Sequence, residues 1–236
     1  MKWFYYLMVF LVIGVTSCDS NNDSWDGSQV ELHEKEKVLT DNNTDADIPD
    51  IKETYDGPGR VIWQKPELVL SLLDSLKGKT VADIGAGMGF FTFPLLPLAE
   101  KVIAIDIDPF FLHHIDSVKI ANLIPEDRDR LETRLVKGDK IPLRDQEIDA
   151  ALIVNTFMFI PNHISYLKEL LKKLKPGGTL LIVDFKKRQM PLGPEQAYKI
   201  PLYIVENELF EAGFSVVKAY DMLLEYQYIL VAQKAK

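Results

Sequence analysis

The chain has 236 residues, enough for one α/β domain with a tail, and 47% of them are apolar. Its net charge of −8 is unevenly placed: residues 1–50 hold ten acids and three lysines, a balance of −7, which leaves −1 for residues 51–236. A nearly neutral body carries no basic face of the kind nucleic-acid binding needs, and a single cysteine, Cys18, excludes both an internal disulfide and a cysteine-rich metal site.

The first element is a targeting segment. Lys2 precedes an apolar run from Trp3 to Val15, short for a membrane span but suited to a signal-peptide core. The run ends in Val15-Thr16-Ser17-Cys18, which resembles the bacterial lipobox, so residues 1–17 are expected to be a lipoprotein-type signal peptide. The resemblance implies a lipid on Cys18 and a location in the bacterial cell envelope. The alternative is an uncleaved N-terminal anchor with the domain facing the cytosol. Residues 18–56 are rich in Asp, Asn, Ser and Thr and bury too little to offset their ordering entropy, so they are expected to form an acidic disordered tether. Val30–Leu39 is the one stretch there that could form a short helix.

From Gly57 to Lys236 the pattern alternates. Pro66–Leu76 has helical spacing, with proline at its start and Gly78 beyond its end. Strands are expected at Thr80–Ile84, Lys101–Ile107, Leu131–Lys137, Ile148–Asn155, Thr179–Phe185, Ser215–Leu224 and Tyr226–Gln233. Helices are expected at Phe90–Leu98, Pro109–Asn122, Ile164–Leu174 (stopped by Pro176-Gly177-Gly178) and Pro201–Ala212 (capped by Gly213). The unbroken apolar run of Ile148–Asn155 marks a strand covered on both faces. Strand–helix alternation predicts a doubly wound, mostly parallel sheet with helices on both faces. The last two strands are joined too tightly for a crossover, so the final strand should insert antiparallel.

Val81–Phe91 reads VADIGAGMGFF, a strand running through glycines into a helix. The glycines let a ligand lie against the backbone, and the helix start offers free N–H groups. A dinucleotide fingerprint needs a third glycine where Phe90 stands. The pattern Asp83-x-Gly85-x-Gly87-x-Gly89 instead resembles motif I of the class I S-adenosylmethionine (SAM) dependent methyltransferases, of the type 11/25-like domain. Asp106 ends the second strand, where an acid can accept both ribose hydroxyls; it could also cap the helix starting at Pro109. Further resemblances lie at Gly138-Asp139 after strand three, Asn155 after strand four, LKPGGTLL at 174–181 and the closing YQYILVAQK. The resemblance spans about residues 59–236 and implies a Rossmann-like seven-stranded fold, SAM as cofactor, and cofactor contacts from Asp83, Gly85, Gly87, Gly89, Asp106, Ile107, Asp139 and Asn155. Asp139 could also be an ordinary turn residue, and Gly89 a helix-packing one. Gly57–Leu70 (GPGRVIWQKPELVL) resembles a leader found before motif I in a bacterial subgroup of these enzymes. Arg60 and Trp63 there could form a lid, or Trp63 could simply pack the first helix.

Transfer of a methyl group from a sulfonium mainly requires alignment and desolvation, so the lack of an evident catalytic triad is no objection, and no catalytic residue is assigned. The mouth of the site is expected to include Phe157–Ile160 and residues 184–194, where an apolar wall beside Lys186, Lys187 and Arg188 would suit a small-molecule or lipid-like acceptor, such as a lipid head group or a quinone-like molecule. The favoured alternative is that those bases are a solvated loop and the aromatics belong to the core. No metal site is expected, because His113 and His114 are adjacent in a helix and face apart. An exported domain would be separated from cytosolic SAM, so the competing reading is a non-catalytic lipoprotein that keeps the fold to bind a nucleoside-like or other small molecule.

Overall fold

The computed structural model describes residues 59–236; the signal segment, the tether and the Val30–Leu39 stretch lie outside the described residues. Two short helices come first, α1 (Arg60–Gln64) and α2 (Pro66–Ser71). Lys65 separates them in the left-handed region at φ 48°, which ends one helix and starts the next, with Pro66 at the first position of α2. The rest alternates: β1 (Thr80–Ile84), α3 (Thr92–Leu95), β2 (Lys101–Asp106), α4 (Pro109–Asn122), α5 (Pro125–Arg130), β3 (Leu131–Leu135), β4 (Ile148–Val154), α6 (His163–Lys173), β5 (Leu174–Phe185), α7 (Leu202–Ala212), β6 (Val216–Tyr220) and β7 (Gln227–Gln233).

The seven strands form one sheet in the order β3-β2-β1-β4-β5-β7-β6. Five pair in parallel, and β7 lies between β5 and β6, antiparallel to both. The antiparallel insertion predicted from the closing hairpin is therefore present. The sheet is covered on both faces, which explains the continuous apolar run of β4. Ala150, Leu152 and Val154 face a core shared with Val69, Leu95 and Ile115, whereas Ala151 and Ile153 face one shared with Leu167, Leu170, Val205 and Leu209. Crossover connections place the carboxyl ends of all the parallel strands along one edge, where ligands of open α/β sheets bind.

Several boundaries differ from the sequence reading. The first expected helix stops at Ser71, and α3 is only Thr92–Leu95 rather than Phe90–Leu98. Helix α6 ends at Lys173, before Pro176-Gly177-Gly178, so that turn does not stop it. Leu174 already pairs with Ile148, Thr179 pairs with Ala150, and residues 175–178 bulge out between them. The bulge is held by Lys175 Nζ on Asp149 at 2.8 Å and by the C-terminal tail, where Gly177 N donates to Ala235 O and Lys234 N to Gly178 O. The last two strands are shorter than expected and are separated by residues 221–226. The start and cap of α7 agree with expectation, with Gly213 left-handed at φ 104°.

Candidate cofactor site

Strand β1 delivers the chain into Gly85-Ala86-Gly87-Met88-Gly89. Gly85 N and Ala86 N both donate to Ile105 O, at 2.8 and 3.0 Å, which lashes the loop to β2. Gly85 has φ 75°, and a Cβ on it would fall 2.1 Å from Thr156 Oγ1, in the turn after β4. Only glycine allows the loop to close against that turn. Gly87 also has a positive φ, 53°, but a Cβ there would meet nothing within 4 Å. The space over Gly87 is open, as a ligand lying on the backbone requires. Gly89 packs against the Phe93 ring and Ile115, which is a helix-packing role.

Asp106 closes the other side of the loop. Its Oδ2 accepts from Gly87 N at 2.9 Å and its Oδ1 from Asp108 N at 3.0 Å. The helix-capping alternative is taken by its neighbour, because Asp108 Oδ1 accepts from Phe110 N at 2.8 Å as the N-cap of α4. A carboxylate offers about four acceptor directions, so two remain on Asp106 for the paired hydroxyls of a ribose. Ile107, next in the chain, is 75% exposed, an apolar side chain set beside this acid in solvent.

Asp83 stands behind the loop rather than in it. It is buried, and Thr92 Oγ1 donates to its Oδ2 at 2.6 Å, tying β1 to α3. Burial raises its pKa to about 6, opposed by the Thr92 hydrogen bond and the Arg60 charge, with the Asp106 charge adding to the rise. Asp139 is exposed, in the tight turn Lys137–Lys140 that follows β3. Asn155 follows β4 in the left-handed region at φ 57° and is buried. Its Oδ1 accepts a short hydrogen bond from Gln227 Nε2, and its Nδ2 has no partner. Thus Gly85, Gly87 and Asp106 meet at the loop, Asp83 and Gly89 support it, Asn155 precedes the Thr156 that abuts Gly85, and Asp139 lies at the same sheet edge, after β3.

The leader is built into this site. Arg60 Cζ sits 4.0 Å over the ring of Phe90, and its Nε donates to Gln64 Oε1 at 2.6 Å. Trp63 packs on Phe185 with ring centroids 5.8 Å apart. Gln64, the glutamine of the leader, and Gln227 are both fully buried, and the sequence carries no signal for a contact between residues so far apart in the chain.

Phe157 and Met158 are buried core residues and do not line the mouth, which agrees with the alternative of core aromatics. Phe159 is exposed and lies against Tyr198 at 5.6 Å. Lys186 and Arg188 brace the β6–β7 loop through Leu224 O and Glu225 O. The loop after β5 forms an open depression of about 590 Å³ in which Met190, Pro191 and Pro194 alternate with Gln189, Glu195, Gln196 and Lys199. Burial lowers the pKa of Lys199, whose Nζ donates to Arg188 O at 3.2 Å. Beneath the mouth, Asp184 is fully buried at the end of β5. Its Oδ2 accepts from Met158 N at 3.1 Å and its Oδ1 has no partner.

Comparison with known proteins agrees with this geometry. Residues 82–182 match a family model described as a methyltransferase domain. A SAM-dependent methyltransferase from Aquifex aeolicus superposes with a TM-score of 0.69 at 28% identity, covering 77% of this chain and 95% of that one. A demethylmenaquinone methyltransferase of Tropheryma whipplei is 30% identical over 154 residues, 65% of this chain and 61% of its own. A tRNA U34 carboxymethyltransferase of Nautilia profundicola is 31% identical over 108 residues, 46% of this chain and 35% of its own. The chain therefore spans less than two thirds of these curated relatives. The fold is that of SAM-dependent methyltransferases, and fold and matched segment together support S-adenosylmethionine as the cofactor. The residues present fit that group: open space over Gly87, two unused acceptor directions on Asp106 and an unpartnered buried amide at Asn155.

Proposed function

We propose that the protein is an active methyltransferase that methylates a small, lipid-like acceptor. The observation that carries the reading is Asp106, whose carboxylate is pinned to the N–H of Gly87 with two acceptor directions left for a ribose. Bound S-adenosylmethionine supplies an activated methyl group on a sulfonium. The chain's own residues then bind, orient and keep out water. Asp106 would hold the ribose hydroxyls, Ile107 and Asp139 would serve the adenine end, and the Gly85–Gly89 loop and Asn155 would receive the amino-acid end. Supplying orientation and desolvation is the main demand of such a displacement.

The acceptor reading rests on the depression after β5. Met190 and the two prolines give it apolar patches among Gln189, Glu195, Gln196 and Lys199, and Phe159 and Tyr198 are exposed rings in contact with each other. That combination suits a small amphiphile with a polar head. The name of the demethylmenaquinone relative is consistent with an apolar acceptor. A tRNA acceptor is disfavoured by the near-neutral charge of residues 51–236. A lipid on Cys18 would hold the domain at a membrane surface, close to such an acceptor. Among the described residues no helix is long and apolar enough to cross a membrane. The test is a labelled-SAM screen of the full chain against bacterial membrane lipid extracts and against bulk RNA. Label in an extractable lipid supports the reading, and label only in RNA contradicts it.

A further inference from the structure

Four side chains from three parts of the chain form one directed hydrogen-bond chain. Arg60 Nε donates to Gln64 Oε1 at 2.6 Å, Gln64 Nε2 donates to Gln227 Oε1 at 2.9 Å, and Gln227 Nε2 donates to Asn155 Oδ1. Gln64 and Gln227 are fully buried and Asn155 nearly so. The chain begins at a cation, and each of its two glutamines accepts at its oxygen and donates through its nitrogen. Such head-to-tail amides polarise one another, so the last N–H group becomes a better donor than an isolated amide. That group is Asn155 Nδ2, buried without a partner. A buried donor with no acceptor is costly and needs an explanation. Its position supplies one. Thr156, the next residue, abuts Gly85, so the Asn155 backbone lies one residue from the turn that meets the glycine loop.

We propose that Gln64 and Gln227 are positioning residues that fix Asn155 Nδ2 as the donor for an anionic group, the carboxylate at the amino-acid end of the cofactor. This inference rests on the cofactor site described above. Gln227 fixes which way the Asn155 amide points by occupying its oxygen, and Gln64 fixes Gln227. The leader helix α1 thereby takes part in ligand recognition. Arg60, at the start of the relay, also covers Phe90 just beyond the glycine loop, so one residue joins the two parts of the site.

The experiment is calorimetry on the full chain in detergent with two ligands. S-adenosylhomocysteine carries the carboxylate; 5′-methylthioadenosine keeps the adenosine and thioether but lacks it. Gln227→Met should weaken S-adenosylhomocysteine binding 10- to 100-fold and leave 5′-methylthioadenosine within about twofold. Gln64→Met, one bond further away, should show the same selectivity with a smaller loss, and it carries the test should Gln227→Met not fold. Equal losses on both ligands would mean a merely structural role, and no loss on either would mean no role; each overturns the proposal. A wild-type protein that binds neither ligand overturns the cofactor site itself, a result distinct from the other two.

Discussion

Asp184 gives the sharpest quantitative expectation. Its carboxyl is buried at the end of β5 with one hydrogen bond, from Met158 N, and burial pushes its pKa from 3.8 to about 8. In the folded protein at pH 7 it is therefore mostly protonated, whereas in the unfolded chain it is ionised. The folded pKa is raised, so its contribution to stability is fully present below pH 3.8 and is lost progressively as pH rises toward 8. At pH 7 the gap from 3.8 is about three units, which at ~1.4 kcal/mol per unit amounts to roughly 4 kcal/mol as an upper figure. Asp184→Asn keeps the acceptor for Met158 N, adds no charge and brings an N–H₂ toward the unpartnered Tyr228 hydroxyl on the facing strand. The variant should melt above wild type at pH 7–8, by roughly 4 °C even if only a third of that energy is realised in a domain of this size. The gap should close toward pH 4. Melting curves by circular dichroism from pH 4 to 9 measure it. A variant less stable than wild type throughout pH 5–8 would show that the carboxyl is held ionised, and would refute the argument.

Two glycines in one loop should respond differently to the same change. Gly85→Ala drives a Cβ into Thr156 and should cost stability beyond the ~1 kcal/mol of a left-handed alanine, whereas Gly87→Ala meets no protein atom, should cost about that much, and should act mainly on ligand affinity. Thermal melts together with S-adenosylhomocysteine titrations separate the two, and equal destabilisation would contradict the steric account. Cells fed labelled palmitate should mark the wild-type chain and not Cys18→Ala; an unlabelled wild type would exclude lipidation.

What could be read from the residues was whatever depends on local pattern. The unbroken apolar run of β4 announced a strand covered on both faces, and the tight link between the last two strands announced the antiparallel insertion of β7. The glycine spacing and Asp106 placed the loop and its acid correctly, because both lie at the ends of strands that the pattern identifies. Pro176-Gly177-Gly178 misled because such a turn usually ends a helix, whereas here it bulges within β5 against residues from β4 and the C-terminal tail. Phe157 and Met158 were placed at the mouth because they follow a strand end, yet the chain turns at once through Phe157–Phe159 and drops both side chains into the core. The Gln64–Gln227 contact has no local signature at all. Two buried amides become partners only when β7 has inserted beside β5 and α1 has folded over the sheet edge, a consequence of topology rather than of neighbouring residues.

Asp106 is the residue on which S-adenosylmethionine binding at this site is proposed to depend. Isothermal titration of the full chain with S-adenosylmethionine tests that dependence most directly, with Asp106→Ala beside it. The wild type should show saturable one-site binding. The variant should lose roughly 100-fold, the worth of two charge-assisted hydrogen bonds at ~1.5 kcal/mol each. Absence of binding at millimolar ligand, or an Asp106→Ala affinity equal to that of the wild type, would contradict the proposal.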